Sequence, residues 1–208
     1  MKDYTAKLTG EPFLYNETKI IGEFLLNGEN PEDLKKRNLN ENLIKHKKVG
    51  SIKRTNAPIF RRLNVMNKEM LEAFIYSDLE TSKYILVYAI MKTDKLVRDF
   101  IFEVYKEKLL MREDAIEKYD IDRWYEIKRE GSNSLKSKSE NTNNKLKQVI
   151  MKILQDSGMV VKDKKSFKII KPLLSDKFIH LLKENGDLEY AKAIGGLLWE
   201  VSIKDWRN

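Results

Sequence analysis

Apolar residues recur along most of this chain at the spacing of an α-helix. Residues 70–75 and 96–105 place apolar side chains at steps of three and four residues, which gives each segment one apolar face. Between them lies the longest apolar run, YILVYAIM at residues 84–91. A membrane span needs roughly 20 apolar residues, so this run is too short and predicts a buried core helix. The three segments together predict a packed antiparallel bundle.

Capping signals predict three short helices in the N-terminal region. Asn16 is predicted to cap a helix that ends at Asn27-Gly28. Asn30-Pro31 predicts the next start, because a cap residue precedes proline at the first helical position. Ser51 is predicted to cap a third, basic helix, and three such helices are typical of a helix-turn-helix unit.

The third predicted helix contains an interior proline. Pro58 has no backbone N–H, and its ring clashes with the preceding turn. The sequence therefore predicts either a kink at this point or a restart with Asn56 as a new cap. Either way, Lys53, Arg54 and Asn56 would lie near a helix N-terminus, where backbone amides favour phosphate.

The pattern changes in the C-terminal region. Residues 131–144, GSNSLKSKSENTNN, predict a loop, and a regular apolar stripe over residues 146–154 predicts a helix. Residues 159–171, MVVKDKKSFKIIK, then predict a β-hairpin with a basic tip, and two short helices follow. We therefore predict an all-α helical bundle in two domains. These are an N-terminal helix-turn-helix domain at 1–114 and a C-terminal winged-helix-like domain with one short hairpin at 115–208.

The positive charge is concentrated in two segments. The formal net charge is +8, and residues 42–68 contain eight Lys or Arg and no acid. Residues 129–171 contain eleven Lys or Arg against four acids, so the remainder of the chain is acidic. Such concentration produces a local potential that attracts polyanions, nucleic acid above all. Two solvated lysine-rich surfaces are the alternative interpretation.

Signals for catalysis are weak. The chain has no cysteine, which excludes a thiolate metal site and a cysteine nucleophile. We expect His46 at the surface and His180 in a structural position. Asp120 and Asp122 alternate as hard-metal ligands do, but Asp120 is more simply explained as a helix cap. We predict a protein that is not an enzyme and holds no cofactor or metal, and the absence of a signal-peptide pattern predicts a cytoplasmic location.

Four blocks of sequence resemble one known family. In chain order they are YTAKLTGEPFLYNETKII, SIKRTNAPIFRRLN, DLETSKYILVYAIMKTDKLVRDFIFEVYKEKLL and NKLKQVIMKILQDSGMV. They are similar to the BrxA family, small proteins encoded in bacteriophage exclusion (BREX) defence clusters of bacteria. The resemblance implies an all-helical protein with helix-turn-helix or winged-helix elements and a DNA-binding accessory role. The family also resembles an antitermination-type RNA-binding fold, so RNA is an alternative ligand.

We therefore expect binding to double-stranded DNA, mainly through phosphates. Asn56 is expected to reach a base edge or a phosphate, and nothing marks a sequence-specific reader. Neutralising about six phosphates would give a logarithmic salt slope near −5. The candidate contacts are Lys45, Lys47, Lys48, Ser51, Lys53, Arg54, Asn56, Arg61, Arg62, Lys136, Lys138, Lys145, Lys147, Lys162, Lys164, Lys165 and Lys168.

Two other functions stay open at this point. BREX clusters also encode a large methyltransferase, an ATPase and a phosphatase-like protein, and the acidic remainder of this chain could dock onto one of them. RNA binding is the other, although a recognition helix cannot enter the narrow major groove of duplex RNA. The sequence does not decide whether the two basic segments share one face.

Overall fold

The N-terminal half of the molecule is helical. The structure is a computed structural model that describes residues 4–5, 7–46 and 49–195. A 3₁₀ turn at Lys7–Gly10 precedes the first helix. The helices are α1 (Tyr15–Leu26), α2 (Pro31–Glu41), α3 (Val49–Leu63), α4 (Lys68–Tyr76), α5 (Leu79–Thr93), α6 (Lys95–Phe100) and α7 (Lys106–Leu110), with a π-helical turn at Ile101–Tyr105 between the last two.

The C-terminal half adds a small antiparallel sheet. Its elements are β1 (Ala115–Glu117), α8 (Lys118–Glu130), α9 (Asn133–Lys136), α10 (Glu140–Asp156), β2 (Val160–Asp163), β3 (Ser166–Ile169), α11 (Asp176–Glu184) and α12 (Leu188–Gly195). The strand order is β1-β3-β2, with Ala115 opposite Lys168 and Val160 opposite Ile169. The predicted fold class, mostly α-helical with a short hairpin, is confirmed. The sequence did not predict β1, because three residues are too few to show an alternating pattern.

The core forms around α5. All eight residues of YILVYAIM are buried, which confirms the prediction of a core helix. Helices α4 and α6 pack against α5. The predicted helix start at Asn30-Pro31 is confirmed, because the Asn30 side chain accepts from backbone N–H groups of α2. Asn67, Asp78 and Asp94 cap the helices that follow them in the same way. Within the described part of the chain, no helix is long and apolar enough to cross a membrane.

Several predicted helix boundaries need correction. Helix α1 begins at Tyr15 and its N-cap is Leu14 at a φ of 53°, so Asn16 lies inside the helix. Helix α3 begins at Val49, two residues before Ser51. It continues through Pro58 without a restart, so Asn56 is not a cap. Proline has no N–H to donate, so the helix lacks one interior hydrogen bond here.

The predicted loop at residues 131–144 is largely helical. Helix α9 forms within it, and α10 already begins at Glu140. Leu135 is completely buried and anchors the short helix to the core. Ser132 and Ser139 are the caps of these two helices. The serine-rich composition predicted a loop because serine favours both loops and caps.

The two halves of the chain contact each other directly. The Tyr88 hydroxyl donates to Asp187 at 2.6 Å, and the Lys92 ammonium lies 2.9 Å from the same carboxylate. Asn67 and Asn185 are hydrogen-bonded at 3.0 Å. The division into domains at 114/115 stays a prediction.

Candidate nucleic-acid interface

A groove of about 950 Å³ runs between the two halves of the fold. One wall is formed by the segment from Thr9 to Pro12 and by Arg54 of α3. The other wall is formed by α8, α10 and the β2–β3 hairpin. We call it the basic groove, and its basic lining residues are Arg54, Lys118, Lys145, Lys147, Lys152 and Lys162.

The charge of the basic groove is strongly positive. Asp122 is the one acidic residue among its lining residues, against six basic ones. Lys147 lies 2.7 Å from Asp122, and Lys152 lies 2.7 Å from Asp156 outside the lining. The other four basic residues form no ion pair with another residue of the described part of the chain. Cations concentrated in a concave surface attract polyanions more strongly than the same cations dispersed.

The two basic segments of the sequence meet in this groove. Arg54 comes from the first segment, and Lys145, Lys147 and Lys162 come from the second. These four residues are predicted contacts that the fold brings together. The Arg54 side chain passes close to Gly10, since a Cβ added at Gly10 would lie 3.4 Å from the Arg54 Cδ.

Most other predicted contacts lie on the surface outside the groove lining. Ser51 is half-buried, and its carbonyl oxygen accepts a hydrogen bond from the Thr55 hydroxyl at 2.9 Å. Lys47 and Lys48 lie outside the described residues. The lysines at the surface are the exposed Lys45, Lys53, Lys136, Lys164, Lys165 and Lys168, together with the half-buried Lys138.

The prediction that Asn56 contacts DNA is wrong, because its side chain is only 3% exposed. The Asn56 amide nitrogen donates to the carbonyl oxygen of Lys35 at 3.1 Å. Its amide oxygen accepts from Asn38 at 3.0 Å, and Asn38 in turn accepts from the backbone N–H of Ile44. This network fixes α2 against α3. Asn56 therefore stabilises the helix pair from inside.

The prediction that Arg62 contacts phosphate is also wrong. Arg62 is 1% exposed, and its guanidinium donates to the carbonyl oxygens of Pro12 at 3.0 Å and Phe13 at 2.9 Å. Burial lowers its pKa to about 10. Arg61 forms an ion pair with the buried carboxylate of Glu11. The arginine pair thus holds residues 11–13 against α3, next to the wall of the basic groove.

Helix α10 contributes groove residues that sequence reasoning missed. Asn144, Gln148 and Lys152 line the groove from α10, and Lys118 lines it from α8. The opposite face of α10 is apolar and packs into the core. The sequence indicates this groove-facing side by polar residues spaced four apart, which lie beside the apolar stripe of α10.

The two histidines lie in different environments. His46 is half-buried, with its Nε2 3.1 Å from the Thr55 hydroxyl. The side chain of His180 is 68% exposed and lies beside Glu184 at 3.3 Å. The expectation of a structural position for His180 is wrong, because it lies on the solvent face of a helix whose apolar neighbours turn inward.

The paired aspartates have structural partners. Asp120 accepts from the backbone N–H of Glu117 at 2.8 Å, as the third helical residue of a capping box. Asp122 pairs with Lys147, as described above. Among residues 4–5, 7–46 and 49–195, no group of three or more His, Cys, Asp or Glu side chains is placed to hold a metal ion.

Comparison with known proteins identifies relatives along nearly the whole chain. The family model described as BrxA matches residues 2–186. A "BREX protein BrxA" from Bacillus cereus (strain H3081.97) is 28% identical over 193 residues, which are 93% of this chain and 96% of that protein. A protein of the same name from Paramagnetospirillum magneticum (strain ATCC 700264 / AMB-1) is 22% identical over 184 residues, or 88% of this chain and 92% of that protein.

A solved structure shares the fold. It is the crystal structure of an uncharacterized protein from Magnetospirillum magneticum, with a TM-score of 0.79 and 22% sequence identity. The match covers 94% of this chain and 100% of that one. The arrangement of helices described above is therefore similar in both.

Proposed function

Because this chain belongs to the BrxA family, we propose that it is a non-catalytic, DNA-binding accessory protein of a bacterial phage-defence (BREX) system. Duplex DNA is the proposed ligand of the basic groove. Proteins that bind nucleic acid gain most of their affinity by placing Lys and Arg against phosphates and releasing counterions. The proposal rests on one observation, which is that both basic segments line a single groove with six basic residues against one acid.

The second wall of the basic groove supports a duplex as the ligand. The order β1-α8-α9-α10-β2-β3, with a sheet in the order β1-β3-β2, is compatible with a winged-helix unit. In that unit α10 is the recognition helix, and a B-DNA major groove about 12 Å wide admits an α-helix. The hairpin turn at Lys164-Lys165 is exposed and can reach the neighbouring backbone.

The first wall supplies a contact from the other side. Helices α2 and α3, joined by the buried Asn38–Asn56 hydrogen bond, are compatible with a helix-turn-helix unit. The surface of α3 presents Lys53 and Arg54, and Arg54 faces α10 across the basic groove. One phosphate backbone would then lie between α3 and α10 while α10 enters the adjacent major groove.

Fluorescence anisotropy with labelled duplex DNA tests the proposal. We expect binding whose logarithmic salt slope lies between about −4 and −5, since four to six groove cations would each neutralise one phosphate. The variant Lys145→Glu/Lys162→Glu should lose roughly tenfold or more in affinity. The matched control is Lys177→Glu/Lys183→Glu, which makes the same charge change at two exposed lysines of α11 outside the groove.

Other outcomes separate the alternatives. Tighter binding to duplex RNA than to duplex DNA would contradict α10 as a major-groove helix. If the folded protein binds neither duplex DNA nor duplex RNA, the proposal fails. The basic groove would then fit an acidic surface of another BREX protein. Co-purification that survives nuclease treatment would support that second role.

A further inference from the structure

We infer that α10 reads base edges as well as approaching phosphates, and that Asn144 and Gln148 select adenine. This inference rests on the proposed function and adds sequence preference to it. It differs from the expectation of weak base preference, which followed because nothing in the sequence alone marks a sequence-specific reader.

The two carboxamides occupy the position that base reading requires. Asn144 and Gln148 are both exposed, and both line the basic groove. They are four residues apart, so they lie on the same face of α10. The exposed Lys145 lies beside them. Asn144 and Lys145 belong to the N-terminal half of the 17-residue helix, and Gln148 lies at its centre. Recognition helices typically contact bases with their N-terminal residues.

Neither carboxamide has a structural partner in the part of the chain that the structure describes. Other amide side chains do have such partners, since Asn143 accepts from the Tyr125 hydroxyl at 2.9 Å and Asn38 donates to Asn56 at 3.0 Å. Asparagine is also a poorer helix former than alanine, so Asn144 lowers the stability of α10 without forming a side-chain hydrogen bond to another described residue. The two groups are free to bind a ligand.

The chemistry of a carboxamide matches one base. It carries a donor and an acceptor side by side, and adenine presents an N6–H donor and an N7 acceptor in the major groove. Four residues of helix rise about 6 Å, and base pairs are spaced about 3.4 Å apart. With α10 along the groove, Asn144 and Gln148 would contact adenines about two base pairs apart. Lys145 and Lys152 would contact phosphates or guanine.

Selection from a random duplex library tests the inference, using the wild-type protein and Asn144→Ala/Gln148→Ala. We expect wild-type protein to enrich sites with two adenines at this spacing, with roughly tenfold preference or more for each matched site. The double variant should keep its affinity for the unselected library and lose the preference. Asn141→Ala is the matched control, because Asn141 is exposed on the same helix but does not line the groove.

The outcomes distinguish this inference from the proposed function. Binding with no enriched sequence overturns base reading and leaves the phosphate contacts standing. An enriched sequence that survives in the double variant also overturns it. No binding to any duplex overturns both. Replacing the two adenines by 7-deazaadenine removes the N7 acceptor, and it should lower wild-type affinity while leaving the double variant unaffected.

Discussion

The Nη1 atom of Arg62 lies 2.9 Å from the carbonyl oxygen of Phe13, a residue 49 positions earlier in the chain. This hydrogen bond, with those to Pro12 and Glu11, places a buried guanidinium where the sequence shows only a basic stretch. A buried guanidinium whose two terminal nitrogens donate to backbone carbonyl oxygens cannot reach a ligand. Arg62 therefore shapes the basic groove through the segment that it holds.

Replacing Arg62 should lower the free energy of unfolding. Arg62→Ala leaves three carbonyl oxygens without their donor and a cavity in the core, so we expect the free energy of unfolding to fall by about 3 kcal/mol. Urea denaturation followed by circular dichroism measures this. Lys53→Ala, at an exposed site on the same helix, should change it by less than about 0.5 kcal/mol. Equal effects of the two substitutions would contradict the role given to Arg62.

Neighbouring basic residues on α3 should differ in their effect on DNA binding. Arg54 lines the basic groove and Lys53 does not, although both are exposed. Arg54→Ala should make the logarithmic salt slope shallower by about 0.9, the amount expected for one lost phosphate contact. Lys53→Ala should leave it unchanged. If the slopes respond in the opposite order, the ligand lies on another face of α3.

Removing the acid of the basic groove should strengthen binding. Asp122 neutralises Lys147 at 2.7 Å, and Asp122→Asn would release that ammonium for a phosphate. We expect tighter binding and a salt slope steeper by about 0.9. Asp163→Asn makes the same charge change at an exposed hairpin residue outside the groove lining, so it serves as the control. Equal gains from both variants would show that net charge alone decides affinity.

Alkaline conditions should destabilise the fold. Burial raises the pKa of Tyr125 to about 12 and raises the pKa values of Tyr88 and Tyr105 further. In the unfolded chain these phenols ionise near pH 10, so the folded state holds more protons between about pH 10 and 12. These tyrosines therefore contribute their full stabilisation below about pH 10, and the free energy of unfolding falls above that pH. Urea denaturation at a series of alkaline pH values checks this, and a flat profile would contradict it.

The parts of the fold that follow from local pattern could be predicted. The run YILVYAIM is apolar on all sides, which only a central helix can accommodate, and Asn30, Asn67 and Asp78 cap helices through contacts with the next few residues. The hairpin was predicted because the spacing of apolar residues changes from a helical to an alternating pattern on either side of a lysine-rich turn. Each of these depends on neighbours in sequence, which is why pattern was sufficient.

The functions of individual basic and amide residues depended on distant partners. Nothing near Arg62 in the sequence indicates that Pro12 and Phe13 would cover it, and nothing near Asn56 indicates Asn38 and the end of α2. Asn56 falls on the apolar stripe of α3, four residues after Ile52 and three before Ile59, so its burial had a signal in the sequence. Arg62 lies beside that stripe and resembled a surface position. Lys118 was missed for the same reason, since its place in the groove is set by the packing of α8 against α10.

Gly10 and Lys162 lie on opposite walls of the same groove, although about three quarters of the chain separates them. A fragment that contains α10 and the hairpin would carry most of the lysines but lack the opposing wall with Arg54. Splitting the gene product would therefore abolish the concave surface without removing most of its charge. Under the proposed function, affinity for DNA would depend on the completed tertiary structure, because a partly folded chain would keep most of these lysines without the concave surface that concentrates them.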